Sequence, residues 1–457
     1  MRISGHKVPA DLAQAVANEL IKKRHQALPM AVLKELFDTL YFASLRTEES
    51  QPVTCYIVYI DPDNPDPKPP RRIVKDRWNY VSLGERILFN ASSLVKIAKA
   101  SDPRTSSFAV YHDKNQKLFI WGLVDQGNRY HEFINFDNDA GPERPGLFQA
   151  SILGVGHLVA YYRYDRIAEL HVNKLILESH DVLRRGPISE LLKPGIGRFV
   201  KSVARELNTI VETLNPEWVH SMYDDWIKTI CRLLLRMRNY HHGGSLLFTP
   251  DSVHEGLSIK YQLRYNRLHR ALQHIGIHRN ELNVNEDMIF QIMESEDAET
   301  IPLDTYLGSS IAGDELHDSS SELDGAIWFV SLLSKVDGLV LLTFDLEVIG
   351  FGVEILKQSP PPRVLRSITA SATGQSLRPA DYLSLGTRHR SMMRYCYAVP
   401  GSLGFVVSQD GDIRVMTRIR DDLVFWDSIR LQLDQFIGQK RAFRSGRPVD
   451  PRNDTRS

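Results

Sequence analysis

The sequence predicts a mixed α/β protein built from two domains in series. An N-terminal α/β domain comes first, followed by a mixed β-sheet domain flanked by helices. Three observations carry this. At 457 residues the chain is too long for one core. Apolar residues recur at helical spacing in some stretches, and apolar, β-branched runs bounded by turn residues appear in others. Between the two sets lies "RRGPISELLKPGIGR" (184–198), with three glycines and two prolines, which reads as linker-like. The expected organisation is therefore a first domain over 1–200, a connection over 201–216 and a second domain over 217–435. A basic flexible tail over 436–457 follows.

Within the first domain, residues 8–45 predict two helices broken near Pro29, with Leu12, Val16, Leu20 and Ile21 on one face. "TCYIVYID" (54–61) predicts a strand. "PDNPDPKPPRR" holds five prolines in eleven residues and predicts a loop. "FNASSLVKIAKAS" (89–101) predicts a helix capped by Asn90 or Ser92. "SFAVYHDKNQKLFIWGLVD" predicts a hairpin turning at 113–116, and more strands are expected over 146–172.

In the second domain, Trp218, Met222, Trp226, Ile230 and Leu234 recur every four residues. They predict a long helix ended by Gly243-Gly244, with "SLLFTP" as a buried strand after it. His241 and His242 have no partner at ligand spacing and read as capping or surface residues. The charge then reverses. Lys260 to Arg279 holds five Lys/Arg and no acid, while Glu286 to Glu322 holds eleven Asp/Glu and no Lys/Arg. That acidic stretch, about 250–320, predicts a solvated, partly disordered insertion, or a lid that pairs with a basic surface.

Composition excludes several classes. Lys+Arg and Asp+Glu both number 56, so net charge favours no polyanionic partner. No apolar run approaches the ~20 residues of a membrane helix, and the N-terminus has no signal-peptide pattern. Cys55, Cys231 and Cys396 form no CxxC pair, which argues against a disulfide framework or a structural zinc. A cytoplasmic protein is expected. No GxxxxGK[ST] is present, so a Walker-type ATPase is disfavoured, and no helix-turn-helix or basic stripe supports nucleic-acid binding.

The chemistry concentrates in "SLGTRHRSMMRYC" (384–396). Two arginines flank His389, with Gly386 and Thr387 just before. Arginine forks suit bidentate phosphate binding, and a helix start would add its dipole. "KVDGLVLLTFDLEVIGFGVEIL" (335–356) predicts a hairpin opening at Asp337-Gly338. "LGFVVSQDGDIRVMT" (403–417) predicts another, whose turn holds Ser408 and Asp410.

This order of motifs resembles the DisA-type diadenylate cyclase domain, whose signatures are Asp-Gly-Ala, Gly-Thr-Arg-His-Arg and a following Ser-Glu-Glu turn. The second is intact as "LGTRHRS"; the third stands as Ser408-Gln409-Asp410. The likeness runs from "RMRNYHHGGSLLFTP" to about Leu433. A literal Asp-Gly-Ala exists at Asp324-Gly325-Ala326, but Ser319–Ser321 look like an N-cap and the segment resembles the family's preceding helix. The strand context places the motif at Asp337-Gly338-Leu339, with leucine where the family has alanine. Residues 1–200 carry no catalytic signature. The whole chain resembles bacterial proteins in which a sensor domain, DACNV, precedes the cyclase.

The resemblance implies condensation of two ATP molecules into cyclic di-AMP by a homo-oligomer with face-to-face domains. Asp337 and Asp410 would hold Mg²⁺ or Mn²⁺. Arg388, Arg390, His389, Thr387 and Ser408 would contact the triphosphate, with Gly338, Leu339 and Gly386 lining the nucleotide. The alternative is a degenerate domain that binds a nucleotide without turnover, which Leu339 and Gln409 favour.

Overall fold

A computed structural model describes residues 6–25, 28–65, 79–101, 106–125, 147–162, 165–177, 180–240, 242–250, 255–294, 300–409, 411–427 and 429–431. The chain divides into two compact units, Met1–Glu178 with Gln432–Ser457, and Ser179–Leu431. The division falls earlier than residue 200. Among the described residues there are eight α-helices, and none is long and apolar enough to cross a membrane. The predicted basic tail, 436–457, lies outside the described residues, as do residues 66–72 of the proline-rich loop and His241.

The first unit begins with helices α1 (Pro9–Lys22) and α2 (Met30–Ser44), with Pro29 at the α2 N-cap. A short hairpin, β1 (Thr47–Glu48) and β2 (Gln51–Pro52), leads to β3 (Cys55–Tyr59) and β4 (Asn79–Leu88). Helix α3 (Ala91–Ile97) follows, and Asn90 caps it by accepting from Ser93 N at 2.9 Å. Six strands complete the unit: β5 (Ser106–His112), β6 (Leu118–Asp125), β7 (Phe148–Gly154), β8 (His157–Tyr162), β9 (Asp165–His171) and β10 (Lys174–Ile176).

The strand order is β10-β9-β8-β7-β3-β5-β6-β4. Among the described residues of this sheet, only β3 and β5 pair in parallel. Period-two alternation splits each strand between two faces. Ile57, Val110, Ile120 and Ala150 join Leu12, Val16, Leu33 and Phe37 of the helices in one core, while Val58, Ala109 and Trp121 form a smaller cluster. Ile21, placed on the α1 apolar face by its spacing, is 65% exposed because it lies one residue past the buried Leu20. The free cysteines are buried, and burial pushes the Cys55 thiol up to about 12, so it is an apolar packing group.

The second unit opens on α4 (Pro187–Glu206), where the glycines and prolines predicted a linker. Pro187 occupies the first turn, where a missing N–H costs nothing. Pro194 lies inside the helix, yet Ile188, Leu192, Ile196, Phe199 and Val203 bury one apolar face around it. That face outweighs a lost hydrogen bond. The end of α4 occupies the start of the predicted connection, and α5 (Pro216–Asn239) follows. Helix α5 stops before the two glycines. Gly243, at φ +72°, makes the turn, and Gly244 already belongs to β11 (Gly244–Thr249).

Residues of the predicted disordered insertion are ordered elements. Strand β12 (Leu257–Tyr265) pairs antiparallel with β14 (Val348–Ile355) at the sheet edge. Helices α6 (Arg267–Glu294) and α7 (Leu303–Leu333) pack on each other as a hairpin. Among the described acids of the run, Asp287, Asp304, Asp314 and Asp318 are exposed on that hairpin, while Glu322 pairs across it with Arg267 at 2.8 Å. Ser319–Ser321 fall in the middle of α7, and Ser319 Oγ donates to Glu315 O at 2.8 Å rather than capping an end.

The remaining elements are β13 (Leu339–Thr343), β15 (Val364–Ser367), β16 (Leu377–Pro379), α8 (Thr387–Ala398), β17 (Leu403–Val407), β18 (Ile413–Ile419) and β19 (Asp422–Trp426). The sheet order is β12-β14-β13-β11-β17-β18-β19-β15-β16. Strands β11 and β13 run parallel, and β11 and β17 antiparallel. On one face α8 buries Met392, Met393, Tyr395 and Cys396 against Leu247, Leu339, Val406 and Met416. This packing aims the start of α8 at one edge of the central strands.

Candidate active site

At that edge a cleft of about 960 Å³ opens. The parallel register of β11 and β13 and the antiparallel register of β17 bring three chain segments together here. Strand starts supply Ser245, Gly338 and Leu339. The first turn of α8 supplies Gly386, Thr387, Arg388 and His389. The β17–β18 turn supplies Ser408 and Gln409. All three stretches singled out from the sequence thus contribute to one cavity.

Two glycines, Gly338 in the lining and Gly243 beside Arg388, shape this end of the sheet. Gly338 has φ +112°, and a Cβ there would lie 2.6 Å from the Gly352 carbonyl carbon. Only a glycine lets β13 start against β14 in this way. At Gly243 a Cβ would lie 2.6 Å from Arg388 Nη1, so the missing side chain leaves room for the guanidinium. Leu339 is 5% exposed and packs in the same core as Val353 and Met392, forming part of the cleft floor.

Gly386 is the N-cap of α8, with no side-chain cap, and its carbonyl accepts from Arg390 N at 3.1 Å. The first-turn amides therefore have no side-chain oxygen to cap them, and the positive end of the dipole faces the cleft. His389 is buried, and its Nε2 lies 3.2 Å from Nη1 of Arg414. Ser408 Oγ donates to Asp412 O at 3.1 Å, and Gly411 at φ +88° closes the turn. Ser245 Oγ is buried with no hydrogen-bond partner among the described residues. The side chains that meet are two guanidiniums, an imidazole and hydroxyls over an apolar floor, a combination suited to an oxyanion joined to an apolar group.

Other predicted residues fall outside this lining. Asp337 is exposed, directly before Gly338. Arg390 points elsewhere on α8: two residues along a helix turn about 200° away from Arg388, and its Nη2 lies 3.5 Å from Thr387 Oγ1. Asp410 lies outside the described residues. Asp324 sits inside α7 and pairs with the buried Arg232 of α5. Ser245, Glu354 and Arg414 line the cleft without a motif to announce them. Ser245 follows the double glycine and Arg414 follows the Asp410 turn, so strand alternation alone marks them.

A Mg²⁺-type ion needs one or two carboxylates, with phosphate and water completing its shell. Glu354 lines the cleft, and the exposed Asp337 directly precedes the lining residue Gly338. The lining offers no thiolate, and His389 Nε2 faces a guanidinium. The donor set therefore fits a hard cation and not zinc.

The fold thus defines a two-unit mixed α/β protein whose second unit carries, at a helix start, a cleft lined by Arg388, Arg414 and His389. Residues 23–125 of the first unit match the family described as probable sensor domain DACNV. No curated protein matches the chain.

Proposed function

We propose that the second unit is a diadenylate cyclase, condensing two ATP into cyclic di-AMP and two pyrophosphates under control of the sensor domain. The observation that carries this reading is the single cleft that gathers Gly338-Leu339, Gly386–His389 and Ser408-Gln409. The 3′-oxygen of one ATP forms a bond to the α-phosphorus of the other as its proton passes to water, and the bond to the pyrophosphate oxygen breaks. The second ATP sits in a facing copy of the domain, so two chains meet to complete the reaction.

Arg388 grips phosphate oxygens and stabilises the charge that grows in flight. Thr387 and Ser408 orient the triphosphate through their hydroxyls, and Arg390 supports Thr387. The apolar floor, Leu339 with Val353 and Met392, takes the adenosine. Positioning and fixed charge supply most of the rate. Asp337, with Asp410 as a second carboxylate, would hold Mg²⁺ or Mn²⁺, which lowers the pKa of the hydroxyl and neutralises phosphate charge.

A second reading is a domain that binds ATP or a cyclic dinucleotide without turnover. Leu339 favours it, because its side chain occupies the floor where the resembling family has alanine, and Gln409 favours it by removing a carboxylate. Incubating the purified full chain with ATP and Mn²⁺ and searching for cyclic di-AMP by mass spectrometry separates the two. Product supports the cyclase. ATP binding without product supports the binding module.

A further inference from the structure

We infer that Arg414 is a positioning residue that holds His389 neutral, with Nε2 as acceptor and the ring proton on Nδ1. Arg414 belongs to no motif. It stands on β18 opposite Val406 of β17, and Val406 in turn stands opposite Ser245 of β11, so the register fixes it in the cleft wall. Its Nη1 lies 3.2 Å from His389 Nε2.

A guanidinium has five donors, no acceptor, and is not deprotonated in proteins. The imidazole nitrogen facing it must therefore accept, which fixes the tautomer. An imidazolium would set N–H against N–H between two cations. The ring cannot escape to water, since His389 is 6% exposed. Arg414 is itself held by Asp412, 3.4 Å from Nη2, and its Nε is buried with no partner among the described residues. The arginine is thus fixed on one side and spends a donor on the histidine.

A consequence follows that rests on the cyclase reading. His389 Nε2 does not take the proton of the 3′-hydroxyl; His389 acts in the site as a neutral, oriented ring, and Arg414 adds a second guanidinium to the lining beside Arg388.

The test is made on the full chain labelled with ¹⁵N-histidine, with His389→Gln used to assign the signals of His389. Long-range ¹H–¹⁵N spectra at pH 7 are expected to show a protonated Nδ1 and a bare Nε2. Arg414→Lys, which still donates, keeps that pattern; Arg414→Met loses it. A protonated Nε2 or an imidazolium in the wild type overturns the inference without any variant, and so does an unchanged spectrum in Arg414→Met. A merely structural arginine would lower the melting temperature and leave the tautomer alone. Calorimetric ATP titration is expected to show binding weakened about tenfold in Arg414→Met. A wild type that binds no ATP sinks the proposed function, while the tautomer result stands by itself.

Discussion

Gly338 couples the fold to the site in a single residue. Its φ of +112° and the 2.6 Å approach to Gly352 leave no room for a side chain. Gly338→Ala is expected to cost about 1–3 kcal/mol of stability in urea titrations of the second unit, and to distort the strand start beside Asp337. Arg388→Ala tests the chemistry instead. It removes a half-buried guanidinium that lines the cleft, so ATP affinity is expected to fall about tenfold or more in calorimetry with little change in melting temperature. Most of these residues were legible because each chemistry sits in a short local string: Asp-Gly at a strand start, Gly-Thr-Arg-His-Arg at a helix start, Ser-Gln in a turn. Arg414 and Ser245 were not, because a lone arginine or serine in a strand acquires meaning only from its cross-strand neighbours. Arg390 belongs to the string but is not among the cleft-lining residues, because helical rotation sets it about 200° from Arg388.

At the scale of elements, composition misread two segments. The stretch 184–198 looks like a linker by its glycines and prolines, while the apolar face over Ile188, Leu192 and Ile196 decides for helix α4. The acidic run 286–322 looks disordered by charge, yet its described residues, 286–294 and 300–322, fall mostly in α6 and α7, and Leu268, Ala271, Leu272 and Ile275 of α6 supply a buried face that anchors the hairpin. Leu272→Ala is therefore expected to destabilise the second unit by about 2–5 kcal/mol, as denaturant midpoints would report. In the first unit, β8 and β9 are joined by charge. Burial opposes ionisation of Glu169, but the Arg166 guanidinium and the His157 and His171 rings outweigh it and bring its carboxyl down to about 2 from an ordinary 4.5. The folded state prefers the charged form, so this stabilisation is complete above pH 4.5 and disappears as pH falls toward 2. Glu169→Gln should lower the melting temperature at pH 7, and the gap from wild type should close progressively below pH 4.5 in melts across that range.

At the scale of the molecule, two units with separate cores are expected to unfold in two steps rather than one cooperative transition, as calorimetric scans would show. The chain divides into two compact units near 178/179, a place that the linker-like composition of α4 hides by pointing to a boundary near 200. If cyclic di-AMP forms between facing copies, its initial rate should rise faster than linearly with protein concentration until assembly saturates. The measurement that tests the central claim most directly compares cyclic di-AMP formation from ATP and Mn²⁺ by the full-length wild type, Asp337→Asn and Asp324→Asn. Product is expected from the wild type and from Asp324→Asn, since the Asp324 carboxylate serves an ion pair with Arg232, and none is expected from Asp337→Asn. Product that survives in Asp337→Asn, or that vanishes only in Asp324→Asn, would contradict that claim.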